Sequence, residues 1–185
     1  MLAKNIKFLN FKDYKIQKSL KSKFKNLINK KSDTNNLISS FAKSYPYSYD
    51  KKQLKRLKRF DIYQIYGMGG SSLGSKAIYE FMKPKIKKKF YFFDNLDTKN
   101  ETIKTNKKNL NLIISKSGNT LETIVNENIF SSKNKLFITE KRNNYLRNLA
   151  LKLKSEIIEH KNFIGGRYSV LSEVGMLPAE LMGLD

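Results

Sequence analysis

The chain reads as an α/β protein: a three-layer α/β/α sandwich around a parallel sheet of about five strands, preceded by an N-terminal helical segment. Short runs rich in Ile, Leu, Phe and Tyr recur at 62–66, 89–93, 110–115, 135–139 and 156–159, and stretches of helical periodicity separate them at 73–82, 121–130 and 145–153. Strands that alternate with helices pair in parallel through right-handed crossovers, which places helices on both faces of the sheet. Three glycine- and hydroxyl-rich segments, GMGGSSLG at 67–74, SKSGNTLET at 115–123 and GGRYS at 165–169, each follow the end of such a run. In open α/β sheets, ligands sit beyond the carboxyl ends of the strands.

The first elements are helical. Over 14–31, Ile16, Leu20, Phe24, Leu27 and Ile28 fall on one face of a helix with lysines opposite, and that face needs a partner. A second short helix is expected over 34–44, then a loop at 45–49 (YPYSY), then a basic helix over 50–59. The KKQLKRLKR stretch within the last reads as a solvated helix face. Residues 1–58 therefore form the N-terminal helical segment and 59–185 the α/β domain. After the final strand, an apolar helix is expected over 170–184.

Composition bounds the function. A domain of 185 residues can bury roughly 70% of its unfolded surface, so a sizeable core is available. Mean hydropathy is −0.55, and the longest apolar runs fall far short of the roughly 20 residues of a membrane span. No membrane association is expected. The opening MLAKNIKFLNFKDYK scatters lysines and lacks the apolar core, about 7–15 residues long, of a secretory signal; the expected location is cytoplasmic. The absence of cysteine excludes disulfides, thiolate metal sites and cysteine nucleophiles, and a single histidine, His160, argues against a histidine-built metal site.

The formal net charge of +21 comes from 37 Lys+Arg against 16 Asp+Glu. Charge alone would suggest a basic nucleic-acid-binding protein. The excess is mostly lysine, however, spread along the whole chain among asparagines and not gathered into one arm. It reads as a basic solvated surface, and a nucleic-acid partner is not expected.

Each motif carries a chemistry. In GMGGSSLG the glycines allow a sharp turn and close approach of the backbone to a ligand, while the amides of the following helix point outward and Ser71 and Ser72 add hydroxyls. The spacing is not that of a dinucleotide loop, because Ser72 stands where the last glycine of G-x-G-x-x-G belongs; Asp94 and Asp97 follow the next strand where a ribose ligand would lie. In SKSGNTLET, Ser115, Lys116, Ser117 and Thr120 surround Gly118 where a strand stops and a helix starts, which suits a phosphate held by hydroxyls, amides and the helix dipole. Asn119 and Glu122 have the spacing of a helix-capping pair. In GGRYS the glycine pair lets Arg167 approach a small anionic ligand; the alternative is an arginine paired with a surface carboxylate. Glu173 reads as a first-turn charge favoured by the dipole, and neither it nor His160 or Glu180 is marked by spacing as an acid or base.

Taken in order, GMGGSSLG, SKSGNTLET and NFIGGRYSVLSEVGMLP closely resemble the signatures of the glucose-6-phosphate isomerase family. The middle motif is also similar to the S-x-S-G-x-T of the wider sugar isomerase (SIS) domain, a five-stranded parallel α/β fold. The resemblance covers roughly residues 61–185. It implies that Gly70 and Ser71 line a sugar-phosphate site, that Ser115, Lys116, Ser117 and Thr120 bind the phosphate, and that Arg167 is the catalytic residue steadying an enediolate during isomerisation between an aldose and a ketose phosphate. After Lys116 the chain departs from the isomerases' usual Thr-Phe-Thr-Thr toward the wider SIS form. The resemblance implies no cofactor and no metal, a sugar-phosphate substrate, and a homodimer in full-length form. Family members are longer, and their second SIS domain carries the glutamate base and the ring-opening histidine. The expectation is a first SIS domain that binds a sugar phosphate but does not turn it over alone, or else a stand-alone SIS module that regulates a partner.

Overall fold

The computed structural model of the protein describes residues 18–29, 36–96, 108–129 and 132–184. Strands β1 (Ile62–Tyr66), β2 (Lys89–Phe93), β3 (Asn109–Ile114), β4 (Lys135–Thr139) and β5 (Glu156–Glu159) form one five-stranded sheet in the order β2-β1-β3-β4-β5. Every pairing is parallel. β1 is buried throughout, and β3 and β4 are buried beyond their first residues, as strands covered on both faces must be. The β1–β2 register sets Tyr63 opposite Phe90 and Tyr66 opposite Phe93. Both pairs stack with ring centroids 4.7 Å apart. A slip of one residue would turn both rings to the wrong face, so these pairs help fix the register.

The helices are α1 (Lys18–Asn29), α2 (Lys51–Leu57), α3 (Leu73–Met82), α4 (Leu121–Ile129), α5 (Tyr145–Lys152) and α6 (Glu173–Leu181). One core lies between the sheet and α2, α3 and α6, built from Tyr63, Ile65, Leu112, Ile114 and Ile138 with Leu57, Ile78 and Leu177. A smaller core on the opposite face sets Tyr66, Ile113 and Phe137 against Ile124 of α4 and Leu146 and Ala150 of α5. The three layers follow from chain direction. From β1 the chain moves to β2 on one side, whereas from β3 it moves through β4 to β5 on the other. With right-handed crossovers, that reversal sends α3 to one face and α4 and α5 to the other, and it opens a crevice between the carboxyl ends of β1 and β3.

Local sequence explains the helix ends. Asp50 and Gln53 form a capping box at the start of α2, with Gln53 N donating to Asp50 at 2.7 Å and Asp50 N to Gln53 at 3.0 Å. Gly183 (φ +87) closes α6, its N–H donating to Glu180 O while Leu184 N donates to Ala179 O.

Two expected helices change form. The segment expected over 34–44 is a 3-10 turn, Leu37–Phe41, begun by Asn36; residues 34 and 35 lie outside the described residues. Ser39 and Ser40 turn their hydroxyls back onto Asn36 O (2.7 Å) and Leu37 O (2.8 Å), competing with a regular helix. The helix expected over 170–184 divides into a 3-10 segment, Gly166–Leu171, and α6. Ser172 separates them: its backbone is extended, its hydroxyl donates to Ser169 O at 2.7 Å, and its side chain caps Val174 N. Of the opening helix, 14–17, 30 and 31 lie outside the described residues, as does Phe130 of the helix expected over 121–130. Leu20, Phe24, Leu27 and Ile28 of α1 are between 44% and 63% exposed.

Candidate functional site

The loops after β1 and β3 meet in the crevice that the strand order opens. β1 ends where Gly67 N donates to Phe93 O (3.2 Å), and the chain turns through a 3-10 segment, Gly69–Ser71, into α3. Gly69 has φ +54, which a side chain would resist. Gly70 is set against the loop after β5: a Cβ there would lie 1.9 Å from Gly166 O. Ser169 Oγ completes that junction by donating to Gly70 O at 3.0 Å. Gly70 thus permits close packing of the first and third motifs.

The loop after β3 is built on Ser115, which is buried. Its Oγ accepts from Gly118 N at 3.1 Å and lies 2.8 Å from Thr120 Oγ1 and 3.5 Å from Ser117 Oγ. Gly118 has φ +66, and a Cβ would fall 1.8 Å from Asn144 Oδ1; only glycine allows this loop to press against the start of α5. Three hydroxyls therefore cluster at the amino end of α4, where unpaired helix amides favour an anion.

Ser71, Lys116, Ser117 and Thr120 line one cleft of about 830 Å³ together with Glu140, Lys141, Arg142, Glu159 and Asn162. The structure brings those four expected residues to a common space. Ser115 lies beneath it, linked through Thr120, while Gly70 and Arg167 are not among its lining residues. Arg167 is exposed on the 3-10 segment against the Gly70 loop, and no carboxylate among the described residues pairs with it. The surface ion pair considered for it is absent among those residues.

Lys116 faces the cleft rim, where Nζ donates to Asn162 O at 2.8 Å and lies 3.4 Å from Glu140 Oε1. The other oxygen of Glu140 takes Arg142 Nε at 2.6 Å. Glu140, with its side chain 8% exposed, is thus a buried carboxylate between two cations. Sequence reading missed it, along with Lys141, Arg142, Glu159 and Asn162. The signal was present, since 140–142 follow the carboxyl end of β4, Glu159 ends β5 and 160–162 follow it, as the motifs follow their strands, but these segments carry no glycine.

Other expectations are corrected by the contacts. Asn119 does not cap α4; its Oδ1 accepts from Tyr145 N at 2.9 Å and so serves the first turn of α5, because the Gly118 turn aims it across the loop. Glu173 does lie in the first turn of α6, yet it is fully buried and tied to the YPYSY segment: Oε1 accepts from Ser48 N and Ser48 Oγ at 3.0 Å each, and both oxygens lie 3.2 Å from Tyr45 OH. Asp94 pairs with Lys76 at 2.8 Å, leaving no free ribose ligand at that position, and Asp97 lies outside the described residues. His160 is buried beside the third motif, its backbone N–H donating to Thr139 O at 2.9 Å, and burial pushes its imidazole below the usual histidine value.

The parallel sheet, its strand order and the hydroxyl loop at the β1/β3 crevice define an α/β domain of the sugar isomerase (SIS) type. The family model described as phosphoglucose isomerase matches residues 16–185, and the chain belongs to that family. It is 37% identical over 152 residues to the glucose-6-phosphate isomerase of Methanocaldococcus jannaschii, covering 75% of this chain and 37% of that protein. It is 35% identical over 167 residues to that of Acholeplasma laidlawii, covering 76% of this chain and 40% of that protein. The chain thus spans about two fifths of the length of these relatives. Among solved structures, a hypothetical protein of Thermus thermophilus superposes with a TM-score of 0.69 at 22% identity, over 90% of this chain and 44% of that one, a likeness of fold.

Proposed function

We propose that this chain supplies the phosphate-holding part of a glucose-6-phosphate isomerase, which interconverts glucose 6-phosphate and fructose 6-phosphate through an enediolate. The observation that carries the reading is the shared cleft of Ser71, Lys116, Ser117 and Thr120 at the amino end of α4. In the direction Gly118 N–H to Ser115 Oγ to Thr120 Oγ1, the hydrogen-bond relay leaves the Thr120 proton for an oxygen in the cleft. Ser117 adds a hydroxyl and α4 its terminal amides, so a dianion meets several donors without an arginine clamp. Gly70 lets the third motif pack against the loop after β1, and Arg167 is the cation assigned to the oxyanion of the enediolate.

The position of Arg167 outside the cleft lining favours a second reading for the chain by itself, a phosphosugar-binding module without turnover. Two measurements separate the possibilities. The complete gene product should convert fructose 6-phosphate to glucose 6-phosphate in a dehydrogenase-coupled assay; failure to do so ends the isomerase reading. The 185-residue chain should gain thermal stability with fructose 6-phosphate, by about 2.7 kcal/mol at a hundredfold excess over Kd. Thr120→Val should weaken that binding by about tenfold, the loss of one hydrogen bond to a charged ligand; an unchanged affinity would remove the phosphate from this loop.

A further inference from the structure

Lysines dispersed in the sequence are gathered in space by the topology. In a parallel sheet every segment leading into a strand lies at the same end, so 58–61, 83–89, 108, 132–134 and 152–155 share the face opposite the cleft. Their contiguity is visible in the backbone: Asp61 N donates to Lys108 O at 2.9 Å, Lys89 N to Asp61 O at 3.3 Å, and Asn111 N to Asn134 O at 3.0 Å. Arg59, Lys87, Lys89, Lys108, Lys133 and Lys154 are exposed along this face, and none pairs with a carboxylate among the described residues. Asp61 is the one exposed carboxylate in these segments.

Helix termini account for only part of that charge. α2, α3, α4 and α5 end at this face, each offering about half a negative charge. Four half-charges fall well short of six unpaired cations, and the nearby cations that do find partners within the fold are not among the six: Arg56 pairs with Glu156, Lys83 with Glu80, and Lys88 donates to Lys58 O and Tyr63 OH. An aromatic ring precedes the 83–89 segment in the chain. Phe81, in the last turn of α3, is 85% exposed. A row of cations across strand ends spaced about 4.8 Å apart, with an open ring alongside, is the pairing that single-stranded nucleic acid recognises: phosphates along the row and a base stacked on the ring.

We propose that the face formed by the amino ends of the strands binds single-stranded nucleic acid, with Arg59, Lys87, Lys89 and Lys108 meeting phosphates and Phe81 stacking on a base. The site lies at the opposite end of the sheet from the sugar-phosphate cleft, so the two do not compete. The test is fluorescence anisotropy of the full chain with a labelled 12-mer of uridine, and of thymidine to separate RNA from DNA, between 50 and 200 mM NaCl. Four phosphate contacts should give a slope of log K against log salt of about −3. Replacing Lys87, Lys89 and Lys108 by Gln should weaken binding at least tenfold, whereas replacing Lys21, Lys23 and Lys25 of α1 by Gln, the same loss of charge, should change it less than twofold. Phe81→Ala should weaken binding severalfold without altering the salt slope. Saturating fructose 6-phosphate should leave it unchanged. Equal losses from the two triple variants, a preference for phosphatidylserine vesicles over the oligonucleotides, or no binding at 50 mM NaCl would each overturn the proposal.

Discussion

Single residues set the fit between the loops. Gly70 has the space of a hydrogen atom and no more, because a Cβ would meet the Gly166 carbonyl at 1.9 Å. Gly70→Ala must push the third motif away from the first. It should destabilise the protein by about 1–3 kcal/mol, the usual cost of overpacking, with a matching fall in the urea midpoint and no change in m-value. A variant as stable as the parent would show that the two loops are not in contact. Thr120 and Ser115 illustrate the complementary case, in which a buried hydroxyl orients a half-buried one. Sequence spacing marks both residues as polar donors, but only the fold makes one the support of the other.

At the scale of elements, the YPYSY segment and α6 behave as one unit. Glu173 draws Tyr45 and Ser48 onto the start of the helix, and Tyr49 OH donates to Glu180 at 2.8 Å. Lys161 stands 4.3 Å over the Tyr45 ring and 4.0 Å from Glu173, adding the segment after β5 to the same knot. Burial, followed by the nearby Glu173 carboxylate, pushes the Tyr45 hydroxyl far above its usual range, so it remains a donor. Glu173→Ala leaves several donors buried without an acceptor and should cost about 3 kcal/mol by chemical denaturation. Glu173→Gln, which keeps an acceptor, should cost clearly less. Equal costs for the two would mean that charge, not acceptance, holds the unit together. None of this was legible from the sequence: the partners are separated by 125 residues or more, and the glutamate's first-turn position already had a local explanation.

For the whole molecule, His160 links stability to pH. Its folded-state value lies below the ordinary 6.5 because burial disfavours the imidazolium. The native state therefore binds fewer protons than the unfolded chain below pH 6.5. Its contribution is present in full above that value and is lost as pH falls toward the folded-state value. Urea denaturation at pH 7.5, 6.0 and 5.0 should show stability declining over that window, with a shallower decline in His160→Gln. An identical decline in both proteins would assign the effect to other groups.

By itself the sequence determined the alternation of strands and helices, the parallel class and three of the loops at strand ends, because apolar periodicity and glycine placement are local properties. It also marked the hydroxyls around Gly118, since polar donors at a strand-to-helix junction are visible in one dimension. Only the tertiary structure decided which loops share a cleft. Glu140 and Asn162 come to Lys116 from two neighbouring strand ends, a juxtaposition that depends on sheet order and leaves no local trace. The same holds for the lysines: parallel pairing brings the start of every strand to one face, so charge dispersed along 185 residues becomes concentrated in space.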